Sequence, residues 1–263
     1  KITTNTLLKM KAGGEKISML TAYDFSFAKI IDGAGIDIIL VGDSASNVMA
    51  GHETTLPITL DQMIYHAQSA VRGIQRCLIV VDMPFGTYQS NSDVALASAI
   101  RIMKETGAHS VKLEGGVEVL ESIKKIVGAG IPVMGHLGLT PQSIYKFGTY
   151  TVRAKELEEA EKLKNDIVLL QEAGCFAVVL EKIPSALAKE VSELIHIPTI
   201  GIGAGKYCDG QVLVLHDILG LTTHELKFTK QFADIRTASI DACTSFVQEV
   251  RSGQWPDDAH SFH

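Results

Sequence analysis

The chain has 263 residues, of which 46% are hydrophobic and 21% are charged, and its formal net charge is −6. This composition is typical of a folded globular protein, and an acidic balance with scattered lysine and arginine disfavours nucleic acid and anionic membranes as partners. No run approaches the roughly 18 apolar residues of a membrane span, and the first residues lack the apolar core of a signal peptide. We therefore expect a cytoplasmic protein that acts on a small molecule.

Eight short apolar runs, most of them rich in β-branched residues, recur along the chain and are separated by segments with helical spacing. Unbroken runs of this kind are typical of strands in a parallel sheet that is buried on both faces. The predicted strands are Ile17–Thr21, Ile38–Gly42, Leu78–Asp82, Ser110–Glu114, Ile131–His136, Phe176–Glu181, Pro198–Ile202 and Gln211–Leu215.

Helices are predicted between these strands from capping residues, apolar positions three or four residues apart, and glycines that end the pattern. Ser26, Ser92 and Ser185 are the expected N-caps of three of them. Two long connections, Asp43–Pro57 and Leu137–Ala154, show no clear periodicity, and loops of this length are commonly functional. The remaining predicted helices are Thr4–Lys11, Asp61–Arg72, Val119–Val127, Lys155–Ala173 and Thr229–Val250.

The regular alternation of strand and helix, without a linker or a shift in composition, favours one fold. It predicts an α/β protein with a single (β/α)8 barrel domain over residues 1–263, in which an extra amino-terminal helix closes one end. A doubly wound open sheet is the less favoured topology. The four cysteines lie far apart and form no Cys-x-x-Cys pair, which argues against a zinc knuckle or a disulfide scaffold.

Ionisable residues stand at or directly after the carboxyl ends of five predicted strands. Because the carboxyl ends of barrel strands meet at one face, these side chains should form one polar site. The five residues are Asp43, Asp82, Glu114, His136 and Glu181.

Asp43 and Asp82 follow neighbouring strands, so two like charges should lie close together, which is costly unless a proton or cation lies between them. Mg²⁺ prefers oxygen ligands and is often held by one or two carboxylates. Glu114, on the next strand, is expected to complete the site directly or through water.

Lys112 lies two residues before Glu114, so both side chains face the barrel interior. It is either a fixed positive charge for a carboxylate or enolate, the favoured interpretation, or a Schiff-base nucleophile, or part of a structural ion pair. Glu181 is a candidate general base, and His136 a candidate base, ligand or hydrogen-bonding support. Gly201–Gly205 lacks the spacing of a dinucleotide fingerprint and is equally explained by close backbone packing.

Several motifs together resemble the ketopantoate (3-methyl-2-oxobutanoate) hydroxymethyltransferase family over nearly the whole chain. The Gly135–Gln142 block is highly specific. The motifs are Val41–Ser44, Gly51–His52 with Thr55–Pro57, Asp82–Phe85, Val111–Gly116, Gly135–Gln142, Gly201–Gly205 with Asp209–Gln211, and His260–Phe262.

The resemblance implies a TIM barrel of the phosphoenolpyruvate/pyruvate type that transfers a one-carbon unit from 5,10-methylenetetrahydrofolate to 3-methyl-2-oxobutanoate, with Mg²⁺. It also implies a homo-oligomer, a decamer in the bacterial type. Asp43 and Asp82 match the metal ligands, and Glu114 matches an acid close to the metal. Ser44 and Lys112 match groups that hold the keto acid, to which we add His136. Glu181 matches the proton acceptor.

One departure stands beside the site: the family usually continues Gly-Asp-Ser with Leu-Gly-Met, whereas Ala45-Ser46-Asn47 follow here. Two alternatives remain beside the transferase. One is a Mg²⁺-dependent aldolase or lyase that acts on a 2-oxo acid. The other is a non-catalytic subunit that binds a keto acid.

Overall fold

The computed structural model describes residues 1–223 and 226–263. Among these residues the chain forms two compact units, Lys1–Val214 and Leu215–His263. The expectation that residues 1–263 form a single domain stays a prediction.

The first unit is a closed barrel in which each strand pairs in parallel with its neighbours in sequence order, and β8 pairs with β1. This confirms the predicted (β/α)8 topology and excludes the open sheet. The strands are β1 (Ile17–Thr21), β2 (Ile38–Val41), β3 (Leu78–Asp82), β4 (Ser110–Lys112), β5 (Val133–Gly138), β6 (Ala177–Glu181), β7 (Thr199–Ile202) and β8 (Gly210–Leu213).

The helices follow the predicted order, with additional short helices inside or after the predicted loops. They are α1 (Thr4–Gly13), α2 (Phe25–Gly33), α3 (Ala45–Val48), α4 (Leu60–Gly73), α5 (Ser92–Thr106), α6 (Leu120–Gly128), α7 (Ile144–Phe147), α8 (Leu157–Glu172), α9 (Ser185–Leu194), α10 (Leu215–Ile218) and α11 (Ile235–Ser252).

The three predicted N-caps were wrong by one or two residues. Asp24 caps α2 by accepting a hydrogen bond from the Phe27 N–H. Asn91 caps α5 by accepting from the N–H groups of Asp93 and Val94. Pro184 precedes α9 without a side-chain cap. Asp24 and Asn91 have extended backbone angles and a side-chain oxygen, so they satisfy free N–H groups of the first turn, whereas the predicted serines lie inside that turn.

The barrel interior is apolar toward the amino ends of the strands. Leu78 and Val80 on β3 and Ala177 and Val179 on β6 belong to one buried cluster, which also contains Leu7 of α1. Leu7 therefore packs against the barrel core, as expected of a helix that closes one end. Because side chains alternate along a strand, the next inward positions on β3 and β6 are the acids at their carboxyl ends.

Glycine allows close packing at two points near that face. Gly138 has φ +91°, and an added Cβ would lie 2.3 Å from the Glu181 carbonyl oxygen. Gly205 packs on α9, where an added Cβ would lie 2.1 Å from Ser185 Oγ. Close packing therefore accounts for Gly205 in the glycine-rich stretch.

The second unit contains α10, α11 and the carboxyl-terminal segment. Backbone hydrogen bonds join the end of α10 to the entry of α11, from the Phe232 N–H to the Ile218 carbonyl and from the Ile235 N–H to the Leu219 carbonyl. The predicted helix Thr229–Val250 begins later, at Ile235, where Asp234 caps it by accepting from the Thr237 N–H. Within the described ranges, no helix combines the length and apolarity needed to cross a bilayer.

Candidate active site

The ionisable residues predicted from the strand ends meet at the carboxyl face of the barrel. Asp82, Lys112 and Glu181 end β3, β4 and β6, and His136 lies in β5. Asp43, Asp82, Lys112, Glu114 and His136 are each at most 7% exposed. Charged groups are buried in this way only when they are paired or bind ions.

Asp82 and Lys112 form a buried ion pair, with 3.0 Å between Asp82 Oδ1 and Lys112 Nζ. Asp82 Oδ2 accepts a hydrogen bond from the Asp43 N–H at 3.0 Å, whereas Oδ1 is buried and accepts no well-aligned hydrogen bond from any described residue. Burial raises the pKa of Asp82, although Lys112 and the Asp43 N–H oppose that rise. Burial lowers the pKa of Lys112, but Asp82, Glu114 and Asp43 outweigh it and raise the pKa, so Lys112 is a cation.

Asp43 is held by Gln142, whose side-chain Nε2 donates to Asp43 Oδ2 at 2.8 Å and to the Met83 carbonyl at 3.0 Å. Burial, followed by the nearby charges of Asp82 and Glu114, raises the pKa of Asp43 well above its usual value. Two buried carboxylates with raised pKa values are stabilised in their charged form by an added cation.

Tyr88 and Gln142 are functional candidates that the sequence prediction did not name. Tyr88 Oη donates to Gln142 Oε1 at 2.6 Å and accepts from the Glu114 N–H at 3.1 Å, while the Gln142 N–H donates to Glu114 Oε2 at 2.9 Å. Gln142 is the last residue of the Gly135–Gln142 motif, so the sequence did contain a signal for it. Tyr88 lies six residues beyond Asp82, in a loop without any motif of its own.

His136 lies between two carboxylates. Its Nε2 is 3.3 Å from Glu181 Oε2, and its Nδ1 is 3.3 Å from Glu114 Oε1 and 3.1 Å from Lys112 Nζ. Burial and Lys112 lower the pKa of His136, but Glu114 and Glu181 outweigh them and raise the pKa to about 9. In the protonated ring Nδ1 donates to Glu114, so the Lys112 ammonium is directed to Asp82 instead.

Glu114 differs from Asp43 and Asp82 because its pKa is lowered rather than raised. Burial raises its pKa, but His136, Lys112 and the Gln142 N–H together lower it below the usual range. Glu181 is less enclosed, with 15% of its side chain exposed, and its carbonyl accepts from the Leu139 N–H at 2.8 Å. It is thus the carboxylate of this group that remains open to a substrate.

Ser44 lies at the entrance to α3, where its Oγ is 2.8 Å from Tyr23 Oη. The loop predicted over Asp43–Pro57 contains α3, which includes Ala45, Ser46 and Asn47. Ser46 Oγ donates to the Thr54 carbonyl at 2.8 Å, and Asn47 Nδ2 donates to the His52 carbonyl at 2.9 Å. The polar side chains of Ser46 and Asn47 therefore hold this loop together by hydrogen bonds within it.

The donor set suits a hard cation held by few protein ligands. Among the described residues, no three His, Cys, Asp or Glu side chains converge to hold a metal ion by themselves. Mg²⁺, however, is usually bound through one or two carboxylates, and water and substrate complete its octahedron. The buried Asp82 Oδ1, without an aligned hydrogen bond, and Asp43, with its raised pKa, fit that arrangement.

Known proteins resemble this chain at two levels. Solved structures with low sequence identity share the fold. Phosphonopyruvate hydrolase, solved with oxalate and Mg²⁺, aligns with a TM-score of 0.64 at 12% identity, over 100% of this chain and 92% of that one. A 2,3-dimethylmalate lyase of the PEP mutase/isocitrate lyase superfamily aligns with a TM-score of 0.62 at 14% identity, over 98% and 91%. These likenesses show that the chain shares the barrel fold of those proteins.

Sequence relatives are far closer. The 3-methyl-2-oxobutanoate hydroxymethyltransferase of Christiangramia forsetii is 67% identical, over 100% of this chain and 97% of that protein. The enzyme of the same name from Flavobacterium johnsoniae is 63% identical, over 100% and 97%. The family model described as ketopantoate hydroxymethyltransferase matches residues 1–258. The chain belongs to the ketopantoate hydroxymethyltransferase family.

Proposed function

We propose that this hydroxymethyltransferase of pantothenate biosynthesis acts on 3-methyl-2-oxobutanoate and 5,10-methylenetetrahydrofolate, giving 2-dehydropantoate and tetrahydrofolate. Its activity follows from family membership and close relatives. The substrates, the metal and the residue roles are our proposal. The observation that carries it is the contact of His136 with Glu181 on one side and with Glu114 on the other, beside Lys112 and Asp82.

Asp43 and Asp82 would hold Mg²⁺, with Glu114 close to it directly or through water. When bound, the cation would neutralise negative charge on the carboxylate and keto oxygens of the substrate. Gln142 orients one ligand by bonding Asp43 Oδ2. The Asp43 N–H orients the other by bonding Asp82 Oδ2.

Lys112, Ser44 and His136 would bind the keto acid. The Lys112 ammonium supplies a fixed positive charge, and its ion pair with Asp82 disfavours the neutral amine that a Schiff base requires. The protonated His136 ring supplies a second positive charge near Glu181. Ser44 Oγ can donate to a substrate oxygen while it accepts from Tyr23.

Glu181 would remove the proton from C3 of the keto acid. Its carboxylate is the partly open one of the group, and His136 Nε2, at 3.3 Å from Oε2, keeps it oriented. The electron pair of the broken C–H bond stays on the keto acid as an enolate, and C3 then forms a bond to the methylene carbon of the folate. Both bonds from that carbon to folate nitrogens break: one as the folate ring opens before the attack, and the other as water supplies the hydroxyl group of the product. The two nitrogens take up the proton removed from C3 and one proton from water.

The test is proton exchange at C3 of 3-methyl-2-oxobutanoate in D₂O, followed by NMR with and without Mg²⁺ and without folate. We expect metal-dependent exchange in the parent and at least a hundredfold loss in Glu181→Gln, because general bases contribute about 10²–10⁴-fold. The matched control, Glu172→Gln on the exposed side of α8, should keep the parent rate. Exchange that persists in Glu181→Gln would assign the base to another residue.

The two alternatives from the sequence, a 2-oxo acid lyase and a non-catalytic subunit, have less support than the transferase. The lyase among the structural neighbours is only 14% identical, so that likeness shows the fold alone. The binding-subunit hypothesis rested on Ala45-Ser46-Asn47, which form a short hydrogen-bonded helix here. The cytoplasmic location stays a prediction.

A further inference from the structure

A cavity of about 360 Å³ lies at the carboxyl face, between the loops that follow β3, β4 and β5. Tyr88, Glu114 and Gln142 form part of its wall. Gln142 also bonds Asp43, so a single side chain separates a molecule in this cavity from a proposed metal ligand. The cavity is thus next to the reacting centre and shares Glu114 with it.

The lining of the cavity also carries aromatic rings and an arginine. Phe85 and Phe147 line the cavity, and the Arg153 guanidinium carbon lies 4.1 Å from the Phe147 ring centroid. Arg153 forms an ion pair with Glu159 through one terminal nitrogen. Its Nε is buried, and none of the described residues offers it an acceptor. A buried donor without a partner is costly, and a ligand oxygen would satisfy it.

The backbone around Arg153 is held in place. The Arg153 N–H donates to the Lys182 carbonyl at 2.8 Å, directly after the proposed base. Ala154 has φ 53°, an uncommon conformation for a residue with a side chain, and its N–H donates to Glu159 Oε2 at 2.7 Å. Strained positions of this kind cluster at ligand-binding sites.

We propose that this cavity binds the flat heteroaromatic part of the folate co-substrate, stacked beside Phe147 with a carbonyl oxygen on Arg153 Nε. This inference rests on the proposed function, which requires a second, larger substrate next to the keto acid. Asp43, Asp82, Lys112 and His136, which would hold the metal and the keto acid, are each at most 4% exposed, which leaves little room for a pteridine ring among them. The cavity falls within the range of about 300–1,000 Å³ of small-molecule sites.

The test compares Phe147→Leu and Arg153→Gln with the parent in three assays: KM for 5,10-methylenetetrahydrofolate, KM for the keto acid, and C3 exchange without folate. We expect the folate KM to rise about tenfold in each variant, because each substitution removes one stacking or hydrogen-bonding contact. The keto-acid KM and the exchange rate should stay within about twofold, since neither residue contacts that centre. Arg101→Gln, on the outer face of α5, is the matched control.

Each other outcome overturns a different statement. Absence of C3 exchange in the parent would overturn the proposed function. Exchange in the parent with an unchanged folate KM in both variants would overturn the folate site alone. Loss of exchange in both variants would show that the cavity wall supports the catalytic centre rather than folate, and would overturn the folate site too. Calorimetric titration with tetrahydrofolate supplies a readout that does not depend on turnover.

Discussion

Gln142 joins the loops that follow β2, β3 and β5 by hydrogen bonds, beside the proposed metal ligands. Its Nε2 faces two acceptors, Asp43 Oδ2 and the Met83 carbonyl, and its Oε1 faces two donors, Tyr88 Oη and Gln89 Nε2. The four contacts determine which end of the amide is nitrogen. Burial raises the pKa of Tyr88 well above its usual value, so its hydroxyl stays protonated and donates.

Replacing Gln142 with Leu removes the donor to Asp43 and leaves Tyr88 Oη without its acceptor. We expect the affinity for Mn²⁺, used as a paramagnetic substitute for Mg²⁺, to fall about 10- to 100-fold, the usual effect of losing a group that orients a ligand. The measurement is the free Mn²⁺ signal in electron paramagnetic resonance titrations. Gln68→Leu, which removes an outer-helix bond to the Glu105 carbonyl, is the control. Equal Mn²⁺ affinity in both variants would contradict this role.

At the scale of elements, α3 and the loop behind it depend on Ser46. Ser46 is fully buried and donates to the Thr54 carbonyl, so Ser46→Ala leaves that carbonyl without its partner. We expect a loss of about 1 kcal/mol in local stability. Hydrogen exchange by mass spectrometry should then speed up in peptides covering residues 45–57.

The control for this prediction is Ser239→Ala, whose exposed hydroxyl bonds the Ile235 carbonyl within α11. Its substitution should leave exchange in residues 45–57 unchanged. Equal exchange in the parent and in Ser46→Ala would mean that the loop is held by other contacts.

The end of α2 is tied to the entry of β3 by Asp32. Its carboxylate accepts from the N–H groups of Gln75, Arg76 and Cys77 at 2.9, 3.0 and 2.7 Å. Partial burial favours the neutral acid, but these hydrogen bonds outweigh it and lower the pKa of Asp32 to about 2. The carboxylate therefore stabilises this junction between a helix and a strand.

Because the pKa of Asp32 falls from 3.8 to about 2 on folding, its stabilisation is full above pH 3.8 and disappears as the pH falls through 2. After discounting for solvent screening, we expect Asp32→Asn to lower the free energy of unfolding at neutral pH by about 1–2 kcal/mol. Urea unfolding of the parent and of Asp32→Asn, at neutral pH and between pH 4 and 2, measures whether their difference in free energy of unfolding becomes smaller in acid. Asp241→Asn on α11 is the control, and a constant difference across this range would contradict the prediction.

At the scale of the whole molecule, the prediction concerns self-association. The family resemblance predicts a homo-oligomer, and a decamer of this 28.4-kDa chain would have a mass of about 280 kDa. Sedimentation equilibrium at micromolar concentration determines that mass directly. A single species with the mass of one chain would contradict the prediction.

The barrel and most of its polar site were predictable from the sequence. Apolar runs alternating with helices specify a parallel sheet, because each run must be buried on both faces and each helix must cover it, and eight such runs favour a barrel over an open sheet. The two-residue period of a strand then directs Asp82, His136 and Glu181 inward at one end. These inferences need only local patterns and the geometry of parallel strands.

The contacts that make these residues a site depended on the tertiary structure. The caps of α2 and α5 lay one or two residues from their predicted places, because which side chain reaches a free N–H depends on the local backbone angles. Tyr88 and Gln142 come from different loops and lie 54 residues apart in the chain, and Gln142 bonds Asp43 across 99 residues. Such pairings join residues far apart in the chain, and no local periodicity encodes them, so only the packed fold decides them.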